Sequence, residues 1–236
     1  MPLILGAQSA TAAGAYSIAN SCLFDQGDYL HRTPGEAGNS RTFTMSAWIK
    51  KTVNGQYDTI FGSGSSQYNA FDWMYNNNSK LYVQDYVQSV FTGIVESDAT
   101  YRDPSAWYHV LYAIDTTQAV EANRWKMYVN GTQIDLTESG GGIPAQDYDE
   151  PVNATEDVMH VGEGVQFSGA AYGLFEGYMA EVIFIDGTAY APSDFGEFNE
   201  DSPTIWQPKD PSGLTFGTNG FWLDFEDSAD MGNDVS

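Results

Sequence analysis

The chain has 236 residues with 32 Asp and Glu against 9 Lys and Arg, and its net charge of −23 excludes a surface built to grip a nucleic-acid backbone or an anionic membrane. A single cysteine, Cys22, excludes an internal disulfide framework, and no stretch approaches the ~20 apolar residues of a membrane-spanning helix. Stability must come from packing and ladder hydrogen bonds, in one large all-β domain or two small ones.

The opening "MPLILGAQSATAAGA" has no basic region, and its apolar run is only Leu3, Ile4 and Leu5, too short for the core of a signal peptide. Residues 1–19 read as an extended arm, with a folded domain over residues 20–236. From there β signals are frequent. "SCLFD", "TFTMSAWIKK", "YDTIFGSG", "FDWMYN", "KLYVQDYV", "WYHVLYAID", "RWKMYVNGTQI", "DVMHVGEG", "EGYMAEVIFIDG" and "GFWLDFED" are strand-length runs rich in aromatic and β-branched residues, separated by Gly, Asn, Asp and Ser. In "RWKMYVNGTQI" the period of two puts Trp125, Met127 and Val129 on one face, and Asn130-Gly131 is a hairpin turn. The acidic stretch "ESGGGIPAQDYDEPVNATED" reads as an exposed excursion, and "APSDFGEF" as one helical turn begun by Pro192. Many short strands with turns between them mean a sandwich or a barrel.

Catalytic patterns are missing from the sequence. Paired carboxylates at glycosidase spacing are absent: "ESDATY" has Tyr101 where a second acid would stand, and Glu176 and Glu181 have opposite parity. His31, His109 and His160 are far apart and show no metal-binding spacing; His109, inside "WYHVLYAID", reads as a hydrogen-bonded sheet residue. For binding, "QYNAFDWMYNNN" concentrates aromatic and amide groups, with Trp73, Tyr75, Asp72 and Asn76 beside Tyr86 of "LYVQDYVQ", the mixture that sugars meet in shallow grooves. The same aromatics could instead fill the space between two sheets.

Four segments taken in order carry a resemblance: "LFDQGDYL" with "FTMSAWIK", "WYHVLYAID" with "KMYVNGTQI", "MHVGEG", and "FEGYMAEVIFIDGTAYAPSDF". Over residues 20–198 the chain resembles the laminin-G-like branch of the concanavalin A-like lectin and glucanase superfamily, which implies an all-β, two-sheet antiparallel jelly-roll sandwich. Relatives usually carry Asp where this chain has Ala180, before Glu181. The resemblance also implies a calcium site, with Asp25, Asp28 and Asp224 brought together by neighbouring first and last strands.

A narrower resemblance, in "LILGAQSA", "RDPSAWYHV" and "LDFEDSADMGND", is to laminin-G-like proteins of marine bacteriophages. It implies a non-enzymatic virion surface or appendage protein that binds host-surface polysaccharide, made in the host cytoplasm without a signal peptide. It further implies an N-terminal module of a longer chain, with Leu3, Ile4 and Leu5 as the attachment to other virion proteins, and homo-oligomeric assembly. A purely structural decoration or fibre protein and, more weakly, a glycan depolymerase stand beside this reading. Fold alone does not separate them.

Overall fold

A computed structural model describes residues 16–25, 27–88, 90–165 and 173–236, so the expected attachment residues Leu3, Ile4 and Leu5 lie outside the described residues. Sixteen strands run through the described residues: β1 (Cys22–Phe24), β2 (Leu30–Arg32), β3 (Thr42–Lys51), β4 (Asp58–Ser66), β5 (Asn69–Tyr75), β6 (Leu81–Val87), β7 (Val90–Ser97), β8 (Tyr108–Asp115), β9 (Trp125–Val129), β10 (Thr132–Gln133), β11 (Leu136–Ser139), β12 (Val158–Val161), β13 (Gly177–Asp186), β14 (Gly196–Phe198), β15 (Trp206–Pro208) and β16 (Phe221–Leu223). Fourteen of them form two antiparallel sheets packed face to face, as the alternation of apolar residues requires, and β14 and β15 pair in a small separate ribbon. The first has the order β1-β13-β3-β8-β9-β10, with β16 also on β13; the second has the order β11-β7-β6-β5-β4-β12-β2.

Strand parity builds the core. In β3, Phe43, Met45, Ala47 and Ile49 turn inward, and across the sandwich Phe71, Trp73 and Tyr75 of β5 meet them with Leu81 and Val83 of β6. Trp125, Met127 and Val129 of β9 join this layer, all buried, and Asn130 and Gly131 close the hairpin with positive φ at 47° and 77°. Rings pack through the middle: Trp73 stacks on Tyr112 with centroids 6.0 Å apart, and Phe61 on Phe184 at 5.7 Å.

The outer face of each sheet is covered in part. A segment between β13 and β16 folds back over the first sheet, where Phe195 is buried against Leu111, Ala113, Ile183 and Ile185. Its 3-10 turn at Pro192–Asp194 is the helical turn the sequence announces, closed by the Asp194 carboxylate accepting from Ala191 N–H at 2.9 Å. Over the second sheet, the backbone near Glu163 crosses Gly62 so closely that a Cβ there would lie 2.7 Å from the Glu163 carbonyl oxygen.

The acidic excursion is not wholly exposed. Glu150, Val152 and Asn153 are buried, because Glu150 accepts from the indole N–H of Trp125 at 2.7 Å and Asn153 donates to Asp186 at 2.7 Å. Polar side chains with partners inside outweigh the acidic composition of the stretch.

Candidate functional site

A groove lined by two tryptophans lies on the outer face of the first sheet, and it starts from an irregularity in β13. The pairing of β13 with β3 shifts between Ala180 and Ile183, and Glu181 sits in the bulge with φ of 47°. A bulge re-aims a side chain. Here the Glu181 carboxylate is 6 % exposed and accepts from the Tyr16 hydroxyl at 2.8 Å and from the indole N–H of Trp222. Burial pushes its pKa up, opposed by those two hydrogen bonds. Tyr16 is thereby tied to β13, and residues 16–21 form one wall of the groove.

The opposite wall comes from the far end of the chain. Trp206 of β15 stacks on His109 at 5.9 Å and donates its indole N–H to His109 Nδ1 at 3.1 Å. Nε2 of the same imidazole faces Ser46 Oγ at 2.8 Å. With Nδ1 accepting, the neutral ring carries its proton on Nε2 and donates it to the serine. A serine nucleophile needs the reverse, an Nε2 lone pair that takes the hydroxyl proton. Burial lowers the His109 pKa to about 3, which keeps the ring neutral, so this pair is a structural clasp. The clasp places Gln207 and Pro208 along the groove.

Between the walls lie Trp48, Trp107 and Ala180, enclosing about 360 Å³. Trp48 pairs across strands with both Ala180 and His109, and its ring is 5.1 Å from the imidazole. Trp107 is 37 % exposed, with its ring 6.4 Å from Tyr178. Ala180 leaves open the space that a larger side chain would fill. The indole N–H groups of Trp48 and Trp107 and the amide of Asn20 have no hydrogen-bond partner among the described residues. Gln207 is oriented by accepting from Asn199 at 2.9 Å and donating to Glu197 at 3.2 Å.

The residues expected to stack on sugar lie elsewhere. Trp73 and Tyr75 are 1 % and 0 % exposed, because the parity of β5 turns them between the sheets and they offer no face to solvent. Asp72 has the other parity and sits on the outer face of the second sheet, paired with Gln84, whose amide donates to it at 3.1 Å. It too is covered, and accepts from Val165 N–H at 2.7 Å. Asn76 is spent on its own turn, accepting from the backbone N–H groups of Asn78 and Lys80 and donating to Glu96. Tyr86 remains half-exposed, packed on Phe91 at 4.9 Å.

Asp25, Asp28 and Asp224 do not fit one calcium ion. β1 and β16 both pair with the same edge of β13, but end to end: Cys22 to Phe24 opposite Met179 to Gly177, and Phe221 to Leu223 opposite Phe184 to Val182. Asp224 therefore lies by Glu181, while Asp25 and Asp28 close a turn at the far end of β1, where the Asp28 carboxylate accepts from Asp25 N–H at 3.1 Å. Among the described residues no group of three or more His, Cys, Asp and Glu is arranged to hold a metal.

Similar architectures occur in solved structures. A "putative carbohydrate binding protein" from Bacteroides ovatus superposes with a TM-score of 0.55 at 17 % identity, over 87 % of this chain and 52 % of that one. The K499G mutant of NanB sialidase from Streptococcus pneumoniae gives 0.53 at 13 % identity, over 82 % and 28 %. The chain thus spans about half of the first structure and about a quarter of the second, and at these identities the likeness is one of fold. No curated protein matches the sequence. A family model matches residues 24–188, the greater part of the chain, so the two-sheet sandwich described above belongs to the Laminin_G_3 family of the concanavalin A-like lectin/glucanases superfamily.

Proposed function

We propose that the domain is a non-enzymatic, lectin-like module that holds a neutral glycan in the groove between residues 16–21 and Gln207–Pro208. The observation that carries this reading is the composition of the groove. Two tryptophans, an alanine floor, amides and hydroxyls line it, and no Asp, Glu, Lys or Arg does so in a chain of net charge −23. Indole faces suit the C–H faces of pyranose rings, and unpartnered N–H and amide groups suit their hydroxyls. A charged ligand would find no counter-charge, whereas a neutral ring needs none. The non-enzymatic part is supported by the inverted Ser46–His109 hydrogen bond and by the engagement of the Glu181 carboxylate with Tyr16 and Trp222.

The finer reading, a virion surface or appendage protein whose ligand is a host-surface polysaccharide, rests on the resemblance drawn from "LILGAQSA", "RDPSAWYHV" and "LDFEDSADMGND" alone. A second reading, a decoration or fibre protein making protein contacts, is favoured by a different observation. Tyr68, Val90 and Phe91 are 53 %, 61 % and 38 % exposed at neighbouring hairpin tips of the second sheet.

The test is binding of the purified chain to neutral host-envelope polysaccharides, with release of reducing ends followed in parallel. Saturable binding without release is expected, weakened at least tenfold by Trp107→Ala with the unfolding midpoint unchanged. Binding that Trp107→Ala does not alter sinks the groove assignment, and release of reducing ends sinks the non-enzymatic one.

A further inference from the structure

Two of the three histidines, 129 positions apart, are direct cross-strand partners: His160 of β12 pairs with His31 of β2. Both lie on the outer face of the second sheet, away from the groove. Their ring centroids are 5.9 Å apart at an interplanar angle of 33°, and Tyr29 lies 5.8 and 6.1 Å from the two rings. On the other side of His160 the partner is Gly62, which contributes no side chain to the face.

We propose that His31 and His160 form a two-nitrogen site for a borderline divalent transition ion such as zinc, nickel or copper. Metal–imidazole bonds of about 2.0–2.1 Å put each ring centre about 3.2 Å from the ion, so two rings on one ion are about 5.2 Å apart at a tetrahedral angle and about 6.4 Å apart when opposite. The observed 5.9 Å falls inside that range. Glu163 supplies the carboxylate that metal-binding histidines commonly carry behind them: its Oε2 is 3.0 Å from His160 Nδ1, which holds the proton there and presents the Nε2 lone pair outward. Imidazole donors select these ions over calcium, which takes oxygen ligands. The described residues supply no third His, Cys, Asp or Glu to the same point, so water completes the coordination shell and the ion remains exchangeable.

Arg32, next to His31 in sequence, alternates to the opposite face of β2, where it pairs with Asp234 at 3.5 Å and lies over Phe221. It does not oppose the ion.

Titration of the untagged full chain with zinc, followed by calorimetry, tests the site, with copper as a second probe read by nitrogen hyperfine structure. One ion per chain is expected, with a two-nitrogen copper signature. His31→Ala and His160→Ala should each abolish that stoichiometry, and Glu163→Gln should weaken binding about 10–100-fold while preserving it. His31 is exposed, so its replacement leaves the fold intact. Absence of zinc binding, or unchanged binding in His31→Ala, overturns the proposal. Neither result touches the glycan groove, which lies on the other sheet.

Discussion

Trp206 donates its indole N–H to His109 Nδ1 across 97 positions of sequence, and that bond at 3.1 Å decides which imidazole nitrogen carries the proton. Replacing the donor leaves a buried acceptor unpaired, which costs about 1–3 kcal/mol. Trp206→Phe should lose that much stability in urea denaturation, and should also weaken glycan binding, since Gln207 and Pro208 follow it along the groove.

The hairpin turn seats the same indole. A Cβ at Gly131 would lie 2.2 Å from Trp206 Cζ3, and φ there is +77°. Gly131→Ala should therefore cost more than the ~1–2 kcal/mol of a left-handed backbone position alone, because the indole must also move. Loss of the His109-bonded indole N–H resonance in proton NMR, together with the lower unfolding midpoint, checks this.

Trp73 and Trp107 should separate packing from binding. Trp73→Ala empties a site that is 1 % exposed between the sheets and should destabilise the domain by about 3–5 kcal/mol. Trp107→Ala should leave the midpoint in place and remove affinity. Equal unfolding midpoints for the two variants would contradict the assignment.

Two buried carboxyls make stability depend on pH. Burial pushes Asp85 up to about 6, and Glu150 well above its ordinary value, where the neighbouring Asp85 adds to the effect. A carboxyl whose folded pKa is raised contributes stability that is fully present below its unfolded pKa and is lost as pH rises through the folded value. Stability should fall between about pH 4 and 6, by on the order of 3 kcal/mol from Asp85. Asp85→Asn should flatten that window and raise stability at pH 7.5, both read from urea midpoints across pH.

Lys51 and Asp58 form an ion pair at 2.6 Å with side chains 4 % and 0 % exposed, and the ammonium lies 4.4 Å from the Tyr75 ring centre. Burial raises the Asp58 pKa and Lys51 opposes the rise. Asp58→Ala should cost about 3–5 kcal/mol by stranding a buried ammonium, while Lys51→Met with Asp58→Leu should cost far less. A double-mutant cycle measures the difference.

Much of the sandwich was legible because a period of two is local. Trp125, Met127 and Val129 face the core as their spacing says, and Asn130-Gly131 turns as its composition says. The same period could have warned against one site containing both Trp73 and Asp72, since adjacent strand residues face opposite ways. Cross-strand neighbours were not legible. His31 meets His160, and Trp206 meets His109, through pairings and folded-back segments that leave no local signal. Trp48 and Trp107 stand in strand-length runs among many other aromatics, and only the covering segments show which of these stay uncovered.

The clasp of Trp206 on His109 makes the groove a seam between the segment that leads into β1 and the strand β15. Its walls, 16–21 and 207–208, are separated by most of the sequence. A ligand there clamps both at once and adds its binding free energy to their closure. Amide hydrogen exchange should slow together at Tyr16–Ser21 and at Trp206 and Gln207 when glycan is added, so that occupancy of one shallow groove is felt as order in two segments far apart in sequence.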